Sequence, residues 1–199
     1  MKKILLFTVM CVLGLFGTLK AQDVVTIDGT VGGFKPATAT VAPVNNYKDY
    51  SISQVYYTVD EIAKSSGTLT SISFKTETGD YPTTRNIDVY LLNTEEYYFS
   101  AQTTKAVTAQ DLVFSGEVEF VENSWVQIDL DKDFEYTGGN LLVCVNDKTG
   151  VDGNKCYFHT FEGNLSSDAG ILRRCLQKSN SSELFDPTSS IAATYDKNM

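Results

Sequence analysis

Histidine, tryptophan and basic residues are the scarce features of this 199-residue chain, and each scarcity removes a class of function. The one histidine is His159, and no Cys-x-x-Cys spacing occurs. A zinc site gathers about four Cys, His or carboxylate ligands, and Cys156, three residues before His159, points to the opposite face if both lie on a strand. Zinc is therefore not expected. A Ser-His-Asp or Cys-His mechanism must also use His159, which stands between Phe158 and Thr160 with no nucleophile elbow in the chain; a core or surface histidine is the expectation. No glycine-rich loop joins a strand to a helix, which argues against nucleotide chemistry.

Basic charge is also thin. The 16 Lys and Arg face 25 Asp and Glu, and three of the 16 are Lys2, Lys3 and Lys20 in the N-terminal leader. Losing those three takes the formal net charge from −9 to −12. Phosphate backbones are bound by clustered Lys and Arg, so nucleic acid is not an expected partner.

Long apolar runs are confined to residues 4–19, a 16-residue stretch broken by Thr8, Gly14, Gly17 and Thr18. A spanning helix needs roughly 20 apolar residues. With Lys2 and Lys3 ahead of it and the small Ala21 behind, residues 1–22 read as a secretory signal peptide. The chain is expected to be exported, to the periplasm, the cell surface or the medium, with no membrane span after signal removal. Cys11 goes with the leader, leaving Cys144, Cys156 and Cys175. Three is not the disulfide framework of a small secreted protein. Cys144 and Cys156 flank a turn on what read as paired strands, and they are the candidate pair for one bridge.

What is present is period-two alternation. In "GTLTSISFKTE" Ile72 and Phe74 face inward and Ser73 and Lys75 outward. In "RNIDVYLLN" Ile87, Val89 and Leu91 share a face opposite Asp88 and Tyr90. "LVFSGEVEF" sets Phe114, Val118 and Phe120 against Glu117 and Glu119, and "WVQIDL" sets Val126, Ile128 and Leu130 against Gln127 and Asp129. These are half-buried antiparallel strands. "NLLVCVND" and "KCYFHTF" read as strands apolar on two sides, and "ILRRCLQ" as a further strand. Helical signals are limited to "TVDEIAKS", with Thr58 as cap, and "TAQD". The expectation is an all-β antiparallel β-sandwich with one or two short helices. Residues 23–44 form a lead-in strand and linker, and residues 45–199 form a single sandwich domain.

The stretches "YSISQVYYTVDEIAKSSGTLTSISFKT", "TRNIDVYLLNTEEYYF", "VFSGEVEFVENSWVQIDLDKDFEYTGGNLLVCVNDKTG" and "DPTSSIAATYDKN" together resemble a jelly-roll module of Gram-negative secreted and surface proteins. The resemblance covers residues 47–198 and rests on order and spacing, without a catalytic signature. It implies a galactose-binding-like jelly roll, similar to carbohydrate-binding and cleaved-adhesin modules, and it carries no functional residues across. Modules of this type run into a closing strand near the position of Met199, so the resemblance implies a stand-alone module, a shortened product or one with an exposed sheet edge.

Two stretches hold candidate sites. "NDKTGVDGN", residues 146–154, offers Asp147, Asp152 and Asn154 as oxygen ligands for calcium. Its spacing departs from the D-x-D-x-D-G calcium loop, because Lys148 and Thr149 hold early positions and no glutamate closes the set. A hairpin turn, with Gly150 and Gly153 at positive φ, is the stronger expectation. "NTEEYYFS" offers Asn93, Glu96, Tyr97 and Tyr98 as a sugar-binding surface, with Trp125 as a further platform. Against that reading, two of Tyr97, Tyr98 and Phe99 are expected to pack inward, and Trp125 to pack in the core or at its rim. Glycoside hydrolysis needs two carboxylates about 5–10 Å apart across a cleft; Glu95 and Glu96 are adjacent and would point apart on a strand. The sequence thus favours a non-enzymatic module that binds glycan or protein through loops. An assembly role through an open edge comes second, and a hydrolase last.

Overall fold

Alternating residues form the strands they predict. The computed structural model describes residues 23–27, 34–36, 42–154, 156–161 and 173–195, so the leader expected at residues 1–22 lies outside the described residues. Among these the chain is all-β: β1 (Phe34–Pro36), β2 (Tyr50–Tyr57), β3 (Gly67–Lys75), β4 (Thr83–Thr94), β5 (Leu112–Phe120), β6 (Trp125–Tyr136), β7 (Asn140–Asp147), β8 (His159–Phe161), β9 (Cys175–Asn180) and β10 (Thr194–Tyr195), with one short helix, α1 (Val59–Ile62). No helix among the described residues is long and apolar enough to cross a membrane.

The main sheet has six antiparallel strands in the order β10-β9-β2-β7-β4-β5. β3 and β6 pair as a second layer, and a bridge from Thr76 to Phe158 ties the end of β3 to the β8 segment, which pairs with β1. Between the two layers lie Ile87, Val89 and Leu91 of β4, Leu141, Val143 and Val145 of β7, Phe74 of β3, and Val126 and Ile128 of β6. Phe120 and Phe158 meet edge to face there, with ring centroids 5.3 Å apart. Burying each such side chain contributes about 1.5–3 kcal/mol.

The opposite face of the main sheet is covered as well. Ile52, Tyr90 and Cys144 pack under Val107 and Phe185, and Tyr56, Leu142 and Leu176 under Phe99 and Ala193. Every residue of β7 is therefore buried, which is why its sequence reads apolar on two sides. Two irregularities break strict alternation. The β3 register shifts between Leu69 and Ser71, which lets Leu69 join Ile72 and Phe74 against the core. A second shift, opposite Val89 and Tyr90, turns Val113 inward beside Phe114.

α1 begins as its sequence predicts. The Thr58 side chain accepts from the Glu61 N–H, and Glu61 returns to the Thr58 N–H at 2.8 Å, a capping box. "TAQD" does not become a helix. Asp111 bonds back to the Thr108 N–H and hydroxyl, closing one turn before β5 starts. The lead-in segment reaches further than expected, since Ala42 and Val44 are buried in the core.

The expected Cys144–Cys156 bridge is corrected. β7 pairs with β2 and β4, not with the chain that follows it, and β8 pairs with β1. Cys144 packs with Ile52 and Tyr90, while the Cys156 thiol donates to the Asp80 carbonyl. Both are buried free thiols, as is Cys175.

Candidate functional site

The main sheet has two ends, and charged groups gather at both. One end holds the start of β4 and the close of β7. Arg85 is in phase with Ile87, Val89 and Leu91, so the strand turns it inward, and Asp147 follows Val143 and Val145 on β7 to the same side. Arg85 Nε and Nη2 both donate to Asp147 Oδ2, at 2.9 and 2.6 Å, with the two side chains 1% and 0% exposed. Nη1 donates to the Val151 carbonyl and Nη2 also to that of Lys48, at 2.9 and 2.7 Å. The other carboxylate oxygen of Asp147 accepts from the Thr149 N–H and hydroxyl. Burial pushes the Asp147 carboxyl up, against the opposing pull of these donors.

This arrangement favours the turn over the calcium reading of Asp147, Asp152 and Asn154. Both oxygens of Asp147 are already engaged, Asp152 and Asn154 point to solvent, and no cluster of three or more His, Cys, Asp or Glu suited to a metal occurs among the described residues. Lys148 pairs instead with Asp88, at 2.6 Å. Gly150 has the expected positive φ, +81°. Gly153 does not: its role is space, since a Cβ there would lie 3.2 Å from both Arg85 Nη1 and Thr83 Oγ1.

The other end carries a cleft. Beyond Thr94 the chain leaves β4 and turns across the outer face of the sheet, where Glu95, Glu96, Tyr97, Tyr98, Thr103 and Lys105 line a cavity of about 490 Å³ floored by Tyr56. That volume lies within the usual range for ligand sites, about 300–1,000 Å³. Of the three consecutive aromatics, only Phe99 is buried, against Tyr56 at 4.6 Å between centroids. Tyr97 and Tyr98 stay 52% and 37% exposed, with ring centroids 4.9 Å apart in an edge-on arrangement. The inward placement expected for two of the three aromatics is corrected: β4 ends at Thr94, so no strand alternation governs residues 97–99.

Glu96 is fixed from behind. The buried Tyr56 hydroxyl donates to Oε2 at 2.7 Å, and Lys105 Nζ lies 3.1 Å from Oε1. Tyr56 and Lys105 hold the Glu96 carboxyl below its usual value of 4.5, while burial and Glu96 push the Tyr56 phenol up. Lys105 is itself seated by the Gln54 amide, which accepts from its N–H at 2.7 Å and donates to its carbonyl at 2.6 Å. Glu95 also lines the cleft, so the two glutamates that would diverge on a strand meet at one cavity.

Two candidates do not join them. Asn93 is spent on structure, donating to the Glu135 carbonyl and accepting from the Thr137 N–H. Trp125 begins β6 opposite Lys75, at the other end of the sandwich and in the second layer. It is 50% exposed, so it belongs to neither core nor cleft. His159 sits 2.6 Å from Glu77, and two of the cysteines are kept as thiols: burial pushes Cys156 up to about 11 and Cys144 up to about 12.

Sequence reasoning passed over Arg85 and Gln54, took Tyr56 only as one of several tyrosines covering a sheet face, and passed over Lys105. The first three carried a signal: each is a polar group in phase with buried apolar neighbours of its strand. Lys105 carried none, because it comes from a loop. No known protein family, curated protein or solved structure matches the chain.

Proposed function

We propose that this protein is an exported, non-enzymatic binding module of the jelly-roll kind, and that the cleft beside Tyr97 and Tyr98 takes a glycan. The observation that carries the reading is an exposed tyrosine pair that lines one cleft with a carboxylate already fixed in place. Exposed aromatic rings offer flat apolar surfaces on which the C–H face of a sugar can stack, and they lose little conformational entropy in doing so. Glu96, anchored by Tyr56 and Lys105, presents an acceptor that needs no reorganisation on binding. The same anchoring leaves Glu96 unsuited to the general-acid role in glycoside hydrolysis, since Tyr56 and Lys105 favour its ionised form.

Titration calorimetry with a panel of soluble oligosaccharides tests the proposal. Binding of at least one sugar class is expected, weakened about tenfold or more, ~1.4 kcal/mol, by Tyr97→Ala or Tyr98→Ala. Trp125→Ala is expected to leave that affinity unchanged. Absence of binding across the panel, or loss on Trp125→Ala alone, would refute the assignment. Binding of a protein ligand in the same cleft would redirect it.

A further inference from the structure

Glu95 and Glu96 line one cleft but differ in what they touch. Both oxygens of Glu96 are engaged, one by the Tyr56 hydroxyl and the other by Lys105, so its charge is largely balanced. The Glu95 carboxylate makes no hydrogen bond or ion pair among the described residues, while its backbone is held, its carbonyl accepting from Asn140 Nδ2 at 3.0 Å. Next to it stand the exposed rings of Tyr97 and Tyr98. The cleft thus carries a carboxylate with no protein donor among the described residues, together with two exposed tyrosine rings.

Resting on the glycan reading, we infer that the sugar bound in this cleft carries a free primary ammonium, as an unacetylated hexosamine does. An ammonium satisfies both features together: the carboxylate by a charge-assisted hydrogen bond and the tyrosine faces by cation–π attraction. A neutral sugar would cover Glu95 while offering only hydroxyl donors, leaving part of its desolvation uncompensated. An acidic sugar would meet Glu95 directly, and the one nearby ammonium, Lys105, is already committed to Glu96. The excess of acidic residues, 25 Asp and Glu against 16 Lys and Arg, adds a field of the same sign, which draws cations towards the protein.

Calorimetry with three length-matched oligosaccharides, of glucosamine, of N-acetylglucosamine and of glucose, decides the matter at about pH 6, where a free amine is charged. The glucosamine oligomer is expected to bind at least tenfold more tightly than either neutral one, with the margin shrinking as salt rises. Glu95→Gln should bring the ratio of affinities towards one. Lys105→Gln should widen it, because Glu96 then adds its charge, and Trp125→Ala should not move it. Equal affinities for the three sugars, or a preference that survives Glu95→Gln, would overturn the inference and leave a glycan-binding cleft standing. No binding of any oligosaccharide would overturn the glycan reading and this inference with it.

Discussion

The two ends of the main sheet spend their charges in opposite ways. Where β4 begins and β7 ends, Arg85 and Asp147 are sealed from water and satisfy one another and the surrounding carbonyls. Where β4 ends and β7 begins, Glu96 is anchored through Tyr56 and Lys105 yet remains at the surface, and the Glu95 carboxylate has no partner among the described residues. A carboxylate paired through both oxygens and sealed from water has no lone pair that a ligand can reach. One held from behind, with its front open, is preorganised to bind. Density of acidic and amide residues in the sequence does not separate these cases, for the stretch richest in Asp and Asn belongs to the sealed end.

The sharpest way to break this comparison is to remove one partner of the sealed pair. Asp147→Ala leaves the Arg85 guanidinium buried without a counter-charge and should cost about 3–5 kcal/mol in urea unfolding. The double variant Arg85→Met with Asp147→Leu should recover much of that loss, since an apolar pair of similar volume is often neutral. A cost under about 1 kcal/mol for Asp147→Ala would mean that water reaches this end and that it is not sealed. The next effect in size falls at the other end. Gly138 has φ +90°, and a Cβ there would lie 2.6 Å from the Ser65 carbonyl. Gly138→Ala should cost about 1–3 kcal/mol, from backbone strain and contact together.

Strand identity was legible because most of the chain is half-buried, and half-burial writes itself as alternation. Ile87, Val89, Leu91, Val126 and Ile128 all sit where period two puts them. Register was less legible: the shifts at Leu69 and Val113 depend on cross-strand partners. The assumption that the chain after β7 returns as its hairpin partner failed because β2 and β4 occupy both flanks of β7, and with it went the Cys144–Cys156 bridge. In the cleft, Glu96, Tyr97 and Tyr98 were readable as a cluster since they are consecutive. Tyr56 and Lys105 come to them from β2 and a distant loop, a juxtaposition that only tertiary structure makes. Asn93 and Trp125 looked alike as candidates, yet the fold gives one to a backbone turn and carries the other to the far end.

A smaller effect sharpens the description of the open end. Tyr56→Phe deletes the hydroxyl that does most to hold Glu96 down, so the Glu96 carboxyl should titrate closer to its usual 4.5, as side-chain NMR would record. The folded value lies below 4.5, so the stabilisation tied to Glu96 is present above that pH and fades as pH falls through the lower folded value. Tyr56→Phe should therefore shallow the acid limb of the stability curve and cost about 0.5–1.5 kcal/mol near neutrality. An unchanged Glu96 titration would show that Lys105 alone anchors it. Tyr97→Ala and Tyr98→Ala should change stability by no more than about 0.5 kcal/mol, as expected of surface side chains outside the core.

The smallest expected effect is none at all, and it bears most directly on the sealed end. Calcium at millimolar concentration should not raise the Tm. To ligate it, Asp147 would first have to release Arg85, and the exposed Asp152 and Asn154 offer too little to offset the roughly 3–5 kcal/mol that breaking a buried pair costs. A calcium-dependent rise in Tm, abolished by Asp147→Asn, would mean that the metal supplies more than that difference. The guanidinium would then have to find other acceptors, and the carbonyls of Lys48 and Val151, which it already bonds, are the nearest available. In that case the sealed end would hold a cation, and the two ends would no longer differ as closed against open.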